Sequence, residues 1–247
     1  MVFPIGDDNT GRLRTPYVTY LLIAINVLVF VLFQGMGNNE QFTYSFSTVP
    51  QEIRTGEDVA GPVRVEIGDQ SAVIPLQETP GSVYLTLLVS MFMHGSLMHL
   101  LGNMLFLWIF GDNIEDDLGH PRYTVFYLTT GVLASIAHVV STFAFGDNPF
   151  IPSLGASGAI SGVMGAYLVM HPHRRVRVLL LRMMTEVPGY VAVGLWFILQ
   201  LISAYGVLGQ GPQSGGGVAF MAHIGGFIAG AMLVRIFAIG SRPPARR

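Results

Sequence analysis

The stretch GASGAISGVMGAY, residues 155–167, lies in an apolar run yet is built from glycine, alanine and two serines with few larger side chains. Small residues let membrane-embedded helices approach closely. Gly155, Gly158, Gly162 and Gly165 would leave such a helix nearly bare along its length. A second small-residue pattern, Gly226-x-x-x-Gly230, follows His223. Two such surfaces packed together would bring Ser157 within reach of His223.

The composition supplies the solvent for this packing. Of the 247 residues, 51% are hydrophobic and 11% charged, too few charges to cover a soluble surface. A helix crosses a bilayer with about 20 apolar residues. Segments 16–36, 96–112, 122–144, 155–171, 187–206 and 218–238 meet or approach that length. The expected fold is an all-α membrane protein, a polytopic bundle of six transmembrane helices in a single domain over 1–247. A long outer loop, 37–95, joins helices 1 and 2. Within it VRVEI, 63–67, alternates like a strand, with Gly68-Asp69 as a turn. The apolar run 84–93 reads as an interfacial or re-entrant helix, and RRVRVLLLRMM, 174–184, as an inner interfacial stretch.

All 13 basic residues are arginine, and there is no cysteine. A serine–lysine pair, a thiolate nucleophile and a zinc–thiolate site are thereby excluded. With six spans, Arg12, Arg14, Arg122, Arg174, Arg175, Arg177, Arg182, Arg242, Arg246 and Arg247 fall on one side. Positive residues stay cytoplasmic, so both termini are expected inside, in a multi-pass plasma (inner) membrane protein. Loops 37–95, 145–154 and 207–217 then lie outside.

Polar side chains inside spans cost free energy and mark function. His99 and Asn103 start the second span, Ser157 starts the fourth, and His223 lies early in the sixth. These three spans share one direction, so all four groups fall within roughly 10 Å of the outer surface. His99 and Asn103, four apart, share a helix face. A serine hydroxyl needs a base to become a nucleophile, and neutral imidazole supplies it. Asn and His side chains, and the Ser157 amide at a helix start, are donors for a developing oxyanion. No acidic residue falls in a span near the outer face, so a dyad is expected rather than a triad.

In series, GASG at 155–158, HGSLMHLLGN at 94–103 and AHIGGFIAG at 222–230 resemble the rhomboid intramembrane serine proteases. RTPYVTYLLIAINVLVF, 14–30, is similar to prokaryotic members. The resemblance implies hydrolysis of a peptide bond in or beside a transmembrane segment of another protein. It implies Ser157 as nucleophile, His223 as general base, and His99 and Asn103 as oxyanion donors. His94 would lie near the mouth of the site, and Glu115 would be structural. Where members often carry Trp-Arg in the first outer loop, this chain has Leu85-Thr86. Where some place a tyrosine one turn after the nucleophile, it has Ser161, so packing or the Ser161 hydroxyl would hold His223.

Other readings stay open: a transporter with a polar cavity, or a rhomboid relative that binds clients without cutting them. The inner halves of spans two and six, MLFLWIF and FIAGAMLV, offer no polar pathway. His138 reads as structural. His171-Pro172-His173 and Asp116-Asp117 read as solvated inner turns, not metal sites. No cofactor and no metal are expected. The expected partners are a transmembrane protein substrate and membrane lipid, with no nucleic acid.

Overall fold

The computed structural model describes residues 2–67, 70–180, 183–208 and 218–241. The chain opens with β1 (Val2–Asp7) and then α1 (Tyr17–Leu28), which widens into a π-helical turn at Val29–Phe33. The segment that follows holds α2 (Glu40–Phe46), α3 (Pro50–Thr55), the strands β2 (Gly61–Ile67) and β3 (Gln70–Leu76), and α4 (Thr86–Val89). Then come α5 (Leu97–Leu118), α6 (His120–Phe145), α7 (Ser157–Met170), β4 (Arg175–Leu180), β5 (Met183–Pro188), α8 (Gly189–Leu208) and α9 (Val218–Phe237). Among the described residues, three helices are long and apolar enough to cross a membrane: α5, α6 and Phe220–Phe237 within α9. Tyr17–Phe33, Val83–Phe92, Ser157–Met170 and Gly189–Ala204 are shorter apolar helices.

α7 is the axis of the bundle. Every residue from Gly158 to Tyr167 is buried. Against α6, a Cβ added at Gly158 would sit 2.6 Å from the Ala134 Cβ, and one at Gly162 would sit 2.5 Å from the Thr130 Cβ. Against α9 the fit is closer still. A Cβ at Gly226 would collide with the carbonyl oxygen of Gly158, and one at Gly230 with that of Gly162. The two small-residue surfaces therefore interlock backbone to backbone, with α6 as a third partner. Gly155 was expected to join this packing but does not. It precedes the helix at φ 130° and lies against His99.

The opposite end of the bundle is held by acids on the last turns of α5. Glu115 is buried and accepts from the Val18 amide at 2.8 Å, the Thr19 amide at 2.7 Å and the Thr19 hydroxyl at 2.7 Å. Pro16, at the start of α1, offers no side-chain cap, so Glu115 caps that helix from a distance. His120 Nδ1 lies 2.6 Å from Glu115 Oε1, the oxygen that also accepts from the Val18 amide. Asp112 pairs with Arg12 at 2.5 Å, and Asp116 accepts from the amides of Leu13 and Arg14. Asp117 lies 2.6 Å from His171 Nε2, both buried. The solvated turns expected at Asp116-Asp117 and His171 are therefore tertiary contacts. Their partners come from distant segments, which local sequence does not show.

The fold is also not all-α. β1, β4 and β5 form an antiparallel sheet in the order β1-β4-β5. The stretch expected to lie at the interface is mainly β4: Val176 and Val178 point inward while Arg175 and Arg177 point out. This period-two alternation is a strand signal that the arginine run masks. β2 and β3 pair as the hairpin expected in the long loop, with Ile67 opposite Gln70. Its Gly68-Asp69 turn lies outside the described residues, as do the loop at 209–217, Arg182, Arg242, Arg246 and Arg247.

Asp7 ties the sheet to the bundle. Its carboxylate accepts from Asn113 Nδ2 at 2.6 Å and from the Tyr167 hydroxyl at 2.9 Å, and Arg174 donates to the Asn113 side-chain oxygen. Burial pushes the Asp7 carboxyl up to about 7, and the neighbouring Asp112 charge adds to the rise. The folded protein thus holds a proton here that the unfolded chain releases near pH 4. The resulting stability is fully present below about pH 4 and is lost as pH rises to about 7. Asp7→Asn should flatten the fall in melting temperature between pH 4 and 8, measured by thermal unfolding in detergent. Gly230→Val should cost about 3 kcal/mol or more by overpacking. Gly194→Ala, where a Cβ meets nothing within 4 Å, should be close to neutral in the same assay.

Candidate active site

Ser157 is the first residue of α7, and His223 lies early in α9. Ser157 Oγ is 2.8 Å from His223 Nε2. The other ring nitrogen, Nδ1, is 2.8 Å from Gln200 Oε1 on α8. A carbonyl oxygen only accepts, so Nδ1 carries the hydrogen of this bond. In the neutral ring Nε2 is then bare and accepts from the Ser157 hydroxyl. With the Gln200 carbonyl facing Nδ1, the contacts match the tautomer a serine nucleophile requires.

The serine is placed by the loop before it. The Gly155 amide donates to the Ser90 carbonyl at 2.9 Å, and Ser153 exchanges two backbone bonds with Thr48, at 2.8 and 2.9 Å. Thr48 Oγ1 also reaches the Thr86 carbonyl at 3.0 Å and Ser90 Oγ at 2.9 Å. The segment between α1 and α5 thus braces the turn into α7. Thr86 is buried in this brace while Leu85 is exposed, so the pair that replaces Trp-Arg is split between the two environments.

Ser96 sets His99 and Asn103. Its hydroxyl accepts from the His99 amide at 3.1 Å and caps α5, which puts His99 in the first turn. The His99 ring lies under Gly155, where a Cβ would come within 2.9 Å of it. Asn103 follows one turn on, and its buried Nδ2 has no hydrogen-bond partner among the described residues. It is a spare donor beside the serine. His99, Asn103, Ser157, Ser161, Gln200 and His223 all line one cavity of about 310 Å³. A second cavity of about 410 Å³ meets Ser157 from another side, with Ser135, His138 and Ser153 among its lining residues.

The structure brings His94 beside the site but not into either cavity lining described above. Its ring is buried, 5.1 Å from the His99 ring and edge-on to it. Gln34 clamps its backbone, accepting from the His94 amide at 2.8 Å and donating to its carbonyl at 3.0 Å. Ser161 does not hold His223, because its hydroxyl donates to the Ser157 carbonyl at 2.6 Å, one turn back in the same helix. The histidine instead meets Gln200 and the tilted ring of Trp196, 6.0 Å away. Gln200 was missed in the sequence. The signal was an amide within the apolar run GYVAVGLWFILQ, which the rule for intramembrane polar groups would have selected.

The family model described as Rhomboid domain matches residues 81–239, more than half of the chain. The chain therefore belongs to the rhomboid family of helical membrane proteins. Among its relatives, the human presenilin-associated rhomboid-like protein, mitochondrial, is 38% identical over 103 residues, 42% of this chain and 27% of that protein. Rhomboid protein 1, mitochondrial, of Saccharomyces cerevisiae is 29% identical over 148 residues, 60% of this chain and 40% of the relative. Rhomboid protease GluP of Bacillus subtilis is 31% identical over 155 residues, 62% of this chain and 24% of the relative. The matches span between 24% and 40% of the length of these relatives. The plasma-membrane location expected from the arginine bias is corrected by these matches. The human and yeast relatives are named as mitochondrial proteins, so the matches do not favour a plasma membrane. Arginine asymmetry reports sidedness and does not identify the membrane.

Gly155 combines a positive φ with close approach to His99, so both backbone and contact oppose a side chain there. Gly155→Ala should cost about 1–3 kcal/mol. Gly95→Ala, where a Cβ meets nothing within 4 Å, is the matched control in thermal unfolding.

Proposed function

We propose that this protein is an intramembrane serine endopeptidase of six spans, cleaving a peptide bond in or next to a transmembrane segment of another protein. The observation that carries the reading is the 2.8 Å contact between Ser157 Oγ and His223 Nε2, in the tautomer that leaves Nε2 free to accept. Membership of a family with a member named as a protease supports it. The name of the human relative carries no such activity, and a client-binding role without cleavage is the alternative.

In the proposed reaction, Ser157 Oγ attacks the scissile carbonyl carbon as His223 Nε2 takes its proton. The carbonyl oxygen becomes an oxyanion, for which Asn103 Nδ2, His99 and the Ser157 amide are the donors. The C–N bond breaks as His223 returns the proton to the leaving amine, and an acyl-serine remains. Water, deprotonated by His223, then attacks the ester and releases the acid and the free serine. The 410 Å³ cavity beside Ser157 has room for several waters, each occupying about 30 Å³ in the liquid. The scissile segment must leave its helix, since helical carbonyls are engaged in hydrogen bonds. Of the four shorter apolar helices, Tyr17–Phe33, Ser157–Met170 and Gly189–Ala204 would complete the six spans. α7, at 14 residues, is about 21 Å long, so its serine end stops short of a bilayer face.

His223 must be neutral to act as base, so cleavage should fall as pH drops through its titration. A rate that rises as pH falls would count against this. The direct test incubates the detergent-solubilised protein with a fluorescent fluorophosphonate and with a generic transmembrane substrate. Wild type should label and cleave. Ser157→Ala should not label, and cleavage by Ser157→Ala and by His223→Ala should fall at least about 10³-fold. A folded wild type that neither labels nor cleaves would leave the client-binding role.

A further inference from the structure

We infer that Gln200 is the positioning residue of the base: its side-chain carbonyl, presented by α8, holds Nδ1–H of His223 and thereby keeps Nε2 available to Ser157. This rests on the Ser157–His223 reading above and adds a third residue to it. The contacts form one line across three helices, from Gln200 on α8 to His223 on α9 to Ser157 on α7, each 2.8 Å long.

α8 brackets the imidazole with two residues four apart. Gln200 meets Nδ1, and Trp196, one turn earlier, lies over the ring with centroids 6.0 Å apart. α9 answers with its own pair four apart, His223 and Phe227. Phe227 packs on Trp196 at 6.3 Å and stacks on Phe197 at 4.1 Å. The aromatic contacts fix the register of α8 on α9, and that register sets Gln200 opposite Nδ1.

An amide suits this place better than a carboxylate. Both accept from Nδ1–H, but a buried carboxylate costs several kcal/mol to desolvate. Gln200 therefore sets the tautomer without adding a charge. The other titratable group lining this cavity is His99, whose ring lies against Gly155. With the acceptor removed, either ring nitrogen can carry the proton. The fraction with hydrogen on Nε2 then faces the serine as a donor and cannot act as its base. Loss of the corresponding orienting group in a serine protease triad is the nearest precedent for such a tautomer effect.

The test uses the full chain with Gln200→Met, of similar length without an acceptor, and Gln200→Glu, which keeps one. Thermal unfolding establishes that both are folded. Nitrogen-15 NMR of the His223 ring, assigned by comparison with His223→Ala, should show hydrogen on Nδ1 alone in wild type. Gln200→Met should give a mixture, and Gln200→Glu should keep the nitrogen engaged. Fluorophosphonate labelling and kcat on a transmembrane substrate should fall about 10²-fold in Gln200→Met, with KM nearly unchanged, and recover in large part in Gln200→Glu. An unchanged tautomer in folded Gln200→Met would overturn the inference, as would equal rate losses in Met and Glu variants. The NMR arm needs no turnover. A wild type that proves inert would thus end the peptidase reading while the tautomer still decides the role of Gln200.

Discussion

The rest of the structure depends on backbone contact between α7 and α9. Gly226 and Gly230 stand against the carbonyl oxygens of Gly158 and Gly162, with no room for a side chain between them. In lipid there is little hydrophobic drive for helices to associate, so dispersion at close range carries the interface. Contact at this distance also fixes position along the helix axis, because each missing side chain fits over one carbonyl. Ser157 lies one residue before Gly158, and His223 three before Gly226. The register that seats the glycines therefore also seats the hydroxyl on the imidazole.

Such precision at one end needs a stop at the other. The last turns of α5 carry Asp112, Glu115, Asp116 and Asp117, all acidic at a helix C-terminus, where the macrodipole opposes them. Their partners offset that cost. Arg12 and His171 face two of the carboxylates, and backbone amides of the leader and of α1 meet the other two. The same network reaches α7 through Tyr167, whose hydroxyl donates to Asp7 in the edge strand of the sheet. The reactive end of α7 is thus set by glycines and its far end by a hydrogen-bonded phenol. Polar networks occupy the two ends of the bundle, and packing alone fills the middle.

This division explains what was legible in the sequence. Ser157, His223, His99 and Asn103 could be read together because helix direction and 1.5 Å rise convert sequence position into depth. The glycines could be read because closeness in lipid has a composition. Gln200 was passed over, although an amide in an apolar helix obeys the same rule. The sheet escaped for a different reason. Arg175 and Arg177 look like a charged surface run until their alternation with Val176 and Val178 is counted, and the partner strand lies some 170 residues earlier in the chain. Asp117 and His171 escaped because burial of such a pair is a property of the partner, not of either local segment.

That no acidic residue lies beside His223 among the described residues is then a consequence of the solvent and not a defect of the site. In a water-filled cleft a carboxylate behind the imidazole is hydrated when idle, and it stabilises the imidazolium during reaction. In a bundle whose α8 exposes Leu195, Ile198, Leu199 and Ile202, that charge would have to be maintained beside hydrocarbon. A neutral acceptor keeps the orienting function and omits the charge. Stabilisation of the transition state then rests more heavily on the oxyanion side, where the unpartnered Asn103 donor and the Ser157 amide stand ready. An unsatisfied buried donor costs about 1–3 kcal/mol in the resting protein. In the proposed reaction that cost would be recovered only when an oxyanion arrives, so Asn103 would stabilise the transition state more than the ground state.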